Sequence, residues 1–191
     1  EQGKPFYFWH KDFSTGGFGN QHYLNWCSNE NCQDLMEGQI AVSSTQYTTS
    51  QAQITGKDST QYWGGFWATV PGVTKVGYYE GNGSNNFIDA GFSNGTKFLI
   101  VKRLDSTQTS GNGRWCITSD LSDGQTNNNW TLKGQSQLAT KGFFPAYAGD
   151  FQWNYQAFRS TSAGFGFIQN ASNMNGSGAK YIYYAVAQLP S

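Results

Sequence analysis

Lys97-Phe98-Leu99-Ile100-Val101-Lys102-Arg103 is a continuous apolar run between basic residues, and it reads as a central strand. Near the C-terminus, Lys180-Tyr181-Ile182-Tyr183-Tyr184-Ala185-Val186-Ala187-Gln188-Leu189 reads as a second strand, which Pro190 stops. Outward from these two, strand signals recur at short spacing between clusters of Gly, Asn, Ser and Asp. They fall at residues 6–10, 21–27, 39–42, 52–54, 62–70, 74–80, 87–90, 114–118 and 164–168. Pro71 ends the strong signal over 62–70. Gly81-Asn82-Gly83 and Gly111-Asn112-Gly113 read as turns, the second within a hairpin. From 119 to 158 the signal weakens and the composition turns polar, which predicts a long excursion with one or two short elements. Long loops of this kind are often functional or interfacial.

Composition excludes several classes. The 191 residues hold 12 Lys+Arg against 12 Asp+Glu, a formal net charge of zero, so there is no electrostatic footprint for nucleic acid or anionic lipid. No apolar run approaches the roughly 20 residues of a helical membrane span. Seven Trp, eleven Tyr and fourteen Phe are enough to build a core, which argues against disorder. The chain is poor in Ala, Leu, Glu and Lys, which disfavours a helical bundle. What remains is an all-β, turn-rich, uncharged-polar protein of the kind found on extracellular or virion surfaces. The three cysteines, Cys27, Cys32 and Cys116, are an odd count and argue against a disulfide scaffold. Cys27 and Cys32 enclose Ser-Asn-Glu-Asn, where a local bridge is sterically allowed; the plainer reading is three free thiols. His10 and His22 lack a convincing zinc spacing to them. The chain opens at Glu1 with no basic stretch leading into an apolar core, so the expectation is upstream processing or a portion of a longer product.

Three collinear matches predict an internal repeat. Residues 6–12 resemble 98–105, Trp26-Cys27 resembles Trp115-Cys116, and the stretch from Gln61 to Pro71 resembles that from Lys180 to Pro190. The second copy carries the polar excursion as an insertion. It also has an opening segment, 73–95, that the first copy lacks, which predicts an unpaired sheet edge in the first copy. That gap would be filled by another chain, by an upstream part of the precursor, or by residues 73–90 serving both halves.

The run Val76-Gly77-Tyr78-Tyr79-Glu80-Gly81-Asn82-Gly83 is followed by Ile88-Asp89-Ala90-Gly91-Phe92 and Asn94-Gly95-Thr96-Lys97. Then come Gly113-Arg114-Trp115-Cys116, Phe165-Gly166-Phe167 and Asn175-Gly176-Ser177-Gly178-Ala179-Lys180-Tyr181-Ile182-Tyr183. This series resembles a β-sandwich module that recurs in virion structural proteins of tailed phages, especially marine cyanophages and their relatives. The second half carries the resemblance well and the first half loosely; the 119–158 region departs from it, and the first half lacks the opening strand. The resemblance implies a phage tail fibre, spike or capsid decoration protein. It carries over no catalytic residues.

The acids mostly sit beside Gly, Ser or Asn, which is turn chemistry. Glu80 and Asp89 would face each other across a Gly-Asn-Gly hairpin as a glycosidase-like pair, and His10 and His22 would face across neighbouring strands. Both pairings read more simply as ordinary polar side chains. Asp120-Leu121-Ser122-Asp123-Gly124 lacks the spaced ligands of a calcium loop. Asn82, Asn94, Asn129, Asn170 and Asn175 each begin a glycosylation sequon, which an Asn- and Ser-rich chain produces by chance. Binding is better supported: Trp130, Tyr147, Trp153 and Tyr155 lie in the polar excursion and are the candidate glycan or partner contacts.

The expected architecture is all-β, two related antiparallel β-sandwich (jelly-roll-like) modules, the first incomplete: 1–72, and 73–191 with the insertion at 119–158. The expected core is Tyr7, Trp9, Trp26, Phe66, Phe98, Ile100, Trp115, Ile117, Ile182, Tyr184 and Val186. The expected role is non-enzymatic and structural, at a virion surface, with other virion proteins as partners and symmetric homo-oligomers as the assembled state. The alternative is a lectin-like module for host surface glycans. No cofactor, metal, nucleic acid or membrane partner is expected.

Overall fold

The computed structural model describes residues 7–8, 10–12, 22–25, 33–34, 40–42, 46–49, 65–105, 115–119, 139–142, 151–154, 158–167 and 174–190. Among these the regular structure is strand throughout, with no helix. In the first half lie β1 (Tyr7–Phe8), β2 (His22–Asn25), β3 (Gln33–Asp34), β4 (Ile40–Val42) and β5 (Tyr47–Thr49). The remainder holds β6 (Thr74–Glu80), β7 (Asn86–Asp89), β8 (Thr96–Arg103), β9 (Trp115–Ser119), β10 (Ala139–Gly142), β11 (Phe151–Asn154), β12 (Phe158–Thr161), β13 (Gly164–Phe167) and β14 (Lys180–Ala187). Every pairing between these strands is antiparallel.

The two long apolar runs lie side by side. A four-stranded sheet has the order β6-β14-β8-β9, with β14 and β8 inside and Tyr183 opposite both Gly77 and Val101. A three-stranded sheet has the order β12-β13-β7. One aromatic core joins the two. Phe165 of β13 meets Tyr183 of β14 edge-on at 4.9 Å between ring centroids, and Tyr79 stacks on Tyr181 at 5.0 Å. Leu99, Val101, Ala185 and Phe167 belong to the same buried cluster, with Ala90, Phe92, Met174, Ala179 and Ala187 around them. Large aromatics bury the most apolar area per residue, so these rings carry much of the packing energy.

The alternation of β13, Gly164-Phe165-Gly166-Phe167, explains its place. Both phenylalanines enter the core, and on the opposite side the Phe87 ring crosses Gly166 so closely that a Cβ there would sit 2.5 Å from it. Gly77 serves the same purpose in β6: a Cβ would lie 2.6 Å from the Tyr183 ring.

The core occupies the opposite face of β8 and β14 from the one the sequence reading chose. Tyr181, Tyr183 and Ala185, with Leu99 and Val101, are in the cluster, whereas Tyr184, Val186, Phe98 and Ile100 are only half-buried on the other face. Side chains alternate along a strand, so a one-residue error exchanges the faces. Both faces of these strands are apolar, and Ile182 and Lys102 are fully buried on the outer one, so hydrophobicity does not discriminate. Phe66, expected in the core, is 73% exposed. The side chains of Tyr7, Trp9, Trp26, Trp115 and Ile117 fall outside the described residues.

Residues 65–69, expected as strand, are irregular. Side chains take over the bonding there. Thr74 Oγ1 donates to the Ala68 carbonyl at 2.8 Å, and a turn through Pro71-Gly72 folds Val73 and Thr74 N–H onto the Val70 carbonyl. The Thr69 hydroxyl accepts from Val76 N–H at 3.1 Å and donates to the Val76 carbonyl at 3.4 Å along the outer edge of β6. This bears on the repeat: β1–β2 and β8–β9 are both antiparallel pairs, but the described part of the stretch matched to β14 is not a strand. The 52–54 signal and the Gly111-Asn112-Gly113 turn lie outside the described residues.

Candidate functional site

The sites expected from sequence are placed unevenly. Trp130, Tyr147 and Tyr155 lie outside the described residues. Trp153 sits on β11 opposite Thr140 of β10, in a two-stranded pair whose β10 runs beside β9. Glu80 and Asp89 are not a pair across a hairpin. β6 is bonded to β14 and β7 to β13, so Gly81-Asn82-Gly83 carries the chain from one sheet to the other. Glu80 Oε1 accepts from the Tyr78 hydroxyl at 2.9 Å, and Asp89 Oδ1 accepts from Gly91 N–H at 2.7 Å. Among the described residues no group of three His, Cys, Asp or Glu is arranged to hold a metal ion.

His10 is a strongly perturbed ionisable group. It is 3% exposed, and its Nδ1 accepts from Asp12 N–H at 3.1 Å. Burial lowers its pKa to about 4; the Asp12 carboxylate, 3.9 Å away, opposes this, Lys11 adds to it, and a hydrogen bond with the Tyr183 backbone opposes it again. Tyr183 is itself pushed up to about 12, chiefly by burial, then by Asp12 and Asp89. The imidazole is therefore a neutral wedge joining the N-terminal segment to β14. Its partner in the sequence reading, His22, pairs through its backbone with Asp34.

The loop after β6 and the loop before β14 form a polar knot centred on Asn175, which is fully buried. Asn175 Oδ1 accepts from Asn82 N–H and from Asn86 Nδ2, both at 3.1 Å, and its Nδ2 donates to the Ser84 carbonyl at 2.6 Å. Around it, Gly83 N–H donates to the Asn175 carbonyl and Gly178 N–H to the Gly81 carbonyl. Tyr79 and Tyr181 reach from the core to the same loop, Tyr79 donating to the Met174 carbonyl at 2.6 Å and Tyr181 accepting from Gly176 N–H at 2.8 Å. A buried amide fully engaged in this way rigidifies its surroundings. The motifs that carried the family resemblance, Gly-Asn-Gly and Asn-Gly-Ser-Gly, are thus the two halves of one structural knot.

The exposed feature is aromatic. Trp67 is 49% exposed and tilts against Tyr184, 6.2 Å between centroids, on the outer face of the four-stranded sheet. Phe66, Val70, Val73 and Leu189 are exposed along the same connection and the end of β14, which meet where Ala187 N–H donates to the Val73 carbonyl. The sequence reading assigned Phe66 to a core and gave Trp67 no role; the flanking Gly64-Gly65 and Pro71-Gly72 were the available signal that this stretch leaves the sheet.

No curated protein and no solved structure matches the chain. A family model described as a domain of unknown function, DUF7483, matches residues 1–190, and the chain belongs to that family.

Proposed function

We propose that the protein is a non-enzymatic structural component of a phage virion surface, a tail fibre, spike or capsid decoration, built from jelly-roll-like β-sandwich modules. The observation that supports this most is the Asn175 knot. The residues by which the chain resembles phage virion modules are spent on tying two sheet connections together, a purely architectural task. In this reading residues 73–191 are the complete module and 1–72 its partial relative. The two meet where His10 reaches Tyr183 and Trp67 reaches Tyr184. Repeated copies assemble symmetrically with other virion proteins, as appendages do. Antibody labelling of intact particles from the source, imaged by electron microscopy, tests it: label on capsid faces or tail tips supports the assignment, and particles without label refute it.

The exposed Trp67–Tyr184 pair favours a second reading, a lectin-like module that stacks glycan rings on aromatic faces. Trp130, Tyr147, Trp153 and Tyr155 would extend such a surface. Host glycans should then change tryptophan fluorescence, and Trp67→Ala, Trp130→Ala or Trp153→Ala should reduce that response.

A further inference from the structure

The structure describes three of the four Asn-Gly pairs of the chain, Asn82-Gly83, Asn94-Gly95 and Asn175-Gly176, and treats them differently. Asn-Gly is the dipeptide most open to succinimide chemistry, because glycine puts no side chain in the way of its own nitrogen. The Gly nitrogen attacks the Asn Cγ, the new N–C bond forms, the peptide proton passes to the leaving amide and ammonia departs. Water then opens the five-membered ring at either carbonyl, giving aspartate or isoaspartate.

At Asn175 both reactants are fixed. Its carboxamide accepts two hydrogen bonds and donates to Ser84, and Gly176 N–H is held by the Tyr181 hydroxyl inside the buried knot. At Asn82 the carboxamide is also tied at both ends, Nδ2 to the Asn85 carbonyl at 2.7 Å and Oδ1 to Ser84 N–H at 2.8 Å, while Gly83 N–H donates to the Asn175 carbonyl. Asn94 is exposed and its carboxamide makes no hydrogen bond among the described residues. Its attacking nitrogen belongs to Gly95, which is buried and donates to the carbonyl of Ser162 at 2.9 Å, in the turn between β12 and β13. The exposed carboxamide of Asn94, without a hydrogen bond among the described residues, is what sets this pair apart from the other two.

We infer that Asn94-Gly95 is a covalent modification site, the point at which the native protein undergoes deamidation, and that the fold shields Asn82 and Asn175. The position gives the modification a structural effect. The Gly95 carbonyl accepts from Gln188 N–H at 2.8 Å, and next to it Thr96 N–H donates to Ser160 Oγ at 2.8 Å and Thr96 Oγ1 to the Gly164 carbonyl at 2.7 Å. Isoaspartate at 94 lengthens the main chain by one carbon and adds a charge where the two sheets are stapled together.

The test is peptide mapping of the full chain, aged in mildly alkaline buffer made with heavy-oxygen water, once folded and once in denaturant. Folded protein should incorporate label at Asn94 first, more slowly at Asn82 and not at Asn175, while denatured protein should lose this ranking. Asn94→Gln should remove the first label without changing the other two. Labelling of Asn82 or Asn175 as fast as Asn94 in folded protein overturns the inference. So does a folded Asn94 that takes up no label while the denatured chain does.

Discussion

Lowering the pH should test the His10 wedge directly. Opposing effects act on this imidazole: burial, aided by Lys11, favours the neutral form, while a carboxylate 3.9 Å away and the Tyr183 backbone favour the charged one. Burial wins, setting the native pKa at about 4 against an ordinary value of 6.5. Between those values the unfolded chain binds the proton and the native one does not, so stability rises with pH across the window. The contribution is whole above 6.5, declines as the pH falls, and is lost by the time the native pKa of about 4 is passed. At about 1.4 kcal/mol per unit the total is about 3 kcal/mol, of which about 2 kcal/mol falls between about pH 7 and about pH 4.5. Acidification acts on the rest of the chain as well, so the measurement is a difference. Urea unfolding of the wild type and of His10→Asn at both pH values isolates the imidazole, because the Asn Oδ1 can replace Nδ1 as acceptor for Asp12 N–H. The wild type should lose about 2 kcal/mol more than the variant on acidification. Equal losses would refute a buried neutral His10, and a smaller loss in the wild type would mean that Asp12 holds the imidazole charged in the native state.

The other tests probe packing. Gly77→Ala should cost about 1–3 kcal/mol in chemical denaturation, because the new methyl meets the Tyr183 ring at 2.6 Å; pairing it with Tyr183→Leu should recover part of that loss. Asn175→Leu should cost about 3 kcal/mol or more by the same assay, since Asn82 N–H, Asn86 Nδ2 and the Ser84 carbonyl each lose a buried partner. Phe165→Ala should cost about 3–5 kcal/mol, whereas Phe66→Ser should change the melting curve little, a contrast that separates the observed core from the expected one.

How far the sequence could be read depended on what each segment had to contrast with. β8 and β14 were legible because long apolar runs end at charge or proline, and β6 because a glycine-rich turn closes it. The core face was not legible, since Tyr181 and Tyr183 differ little in character from Ile182 and Tyr184; only Gly77, placed opposite Tyr183 by register, marks the crowded side. β12, Phe158-Arg159-Ser160-Thr161, was missed because its polar residues hide a strand that sits at the border of its sheet. Residues 65–69 were misread because Trp, Phe and Thr favour strands, while here threonine hydroxyls stand in for a neighbouring chain. The Asn175 knot was visible as two motifs but not as one object, because 93 residues separate Asn82 from Asn175.

Thr69 has a consequence for growth. One hydroxyl occupies both hydrogen-bonding groups of Val76, acting as a one-residue counterfeit of an incoming strand. A neighbouring molecule cannot extend the ladder in register through that point, so the border at β6 is blunted at Val76 against edge-to-edge pairing, one of the devices by which sheets avoid adding a foreign strand.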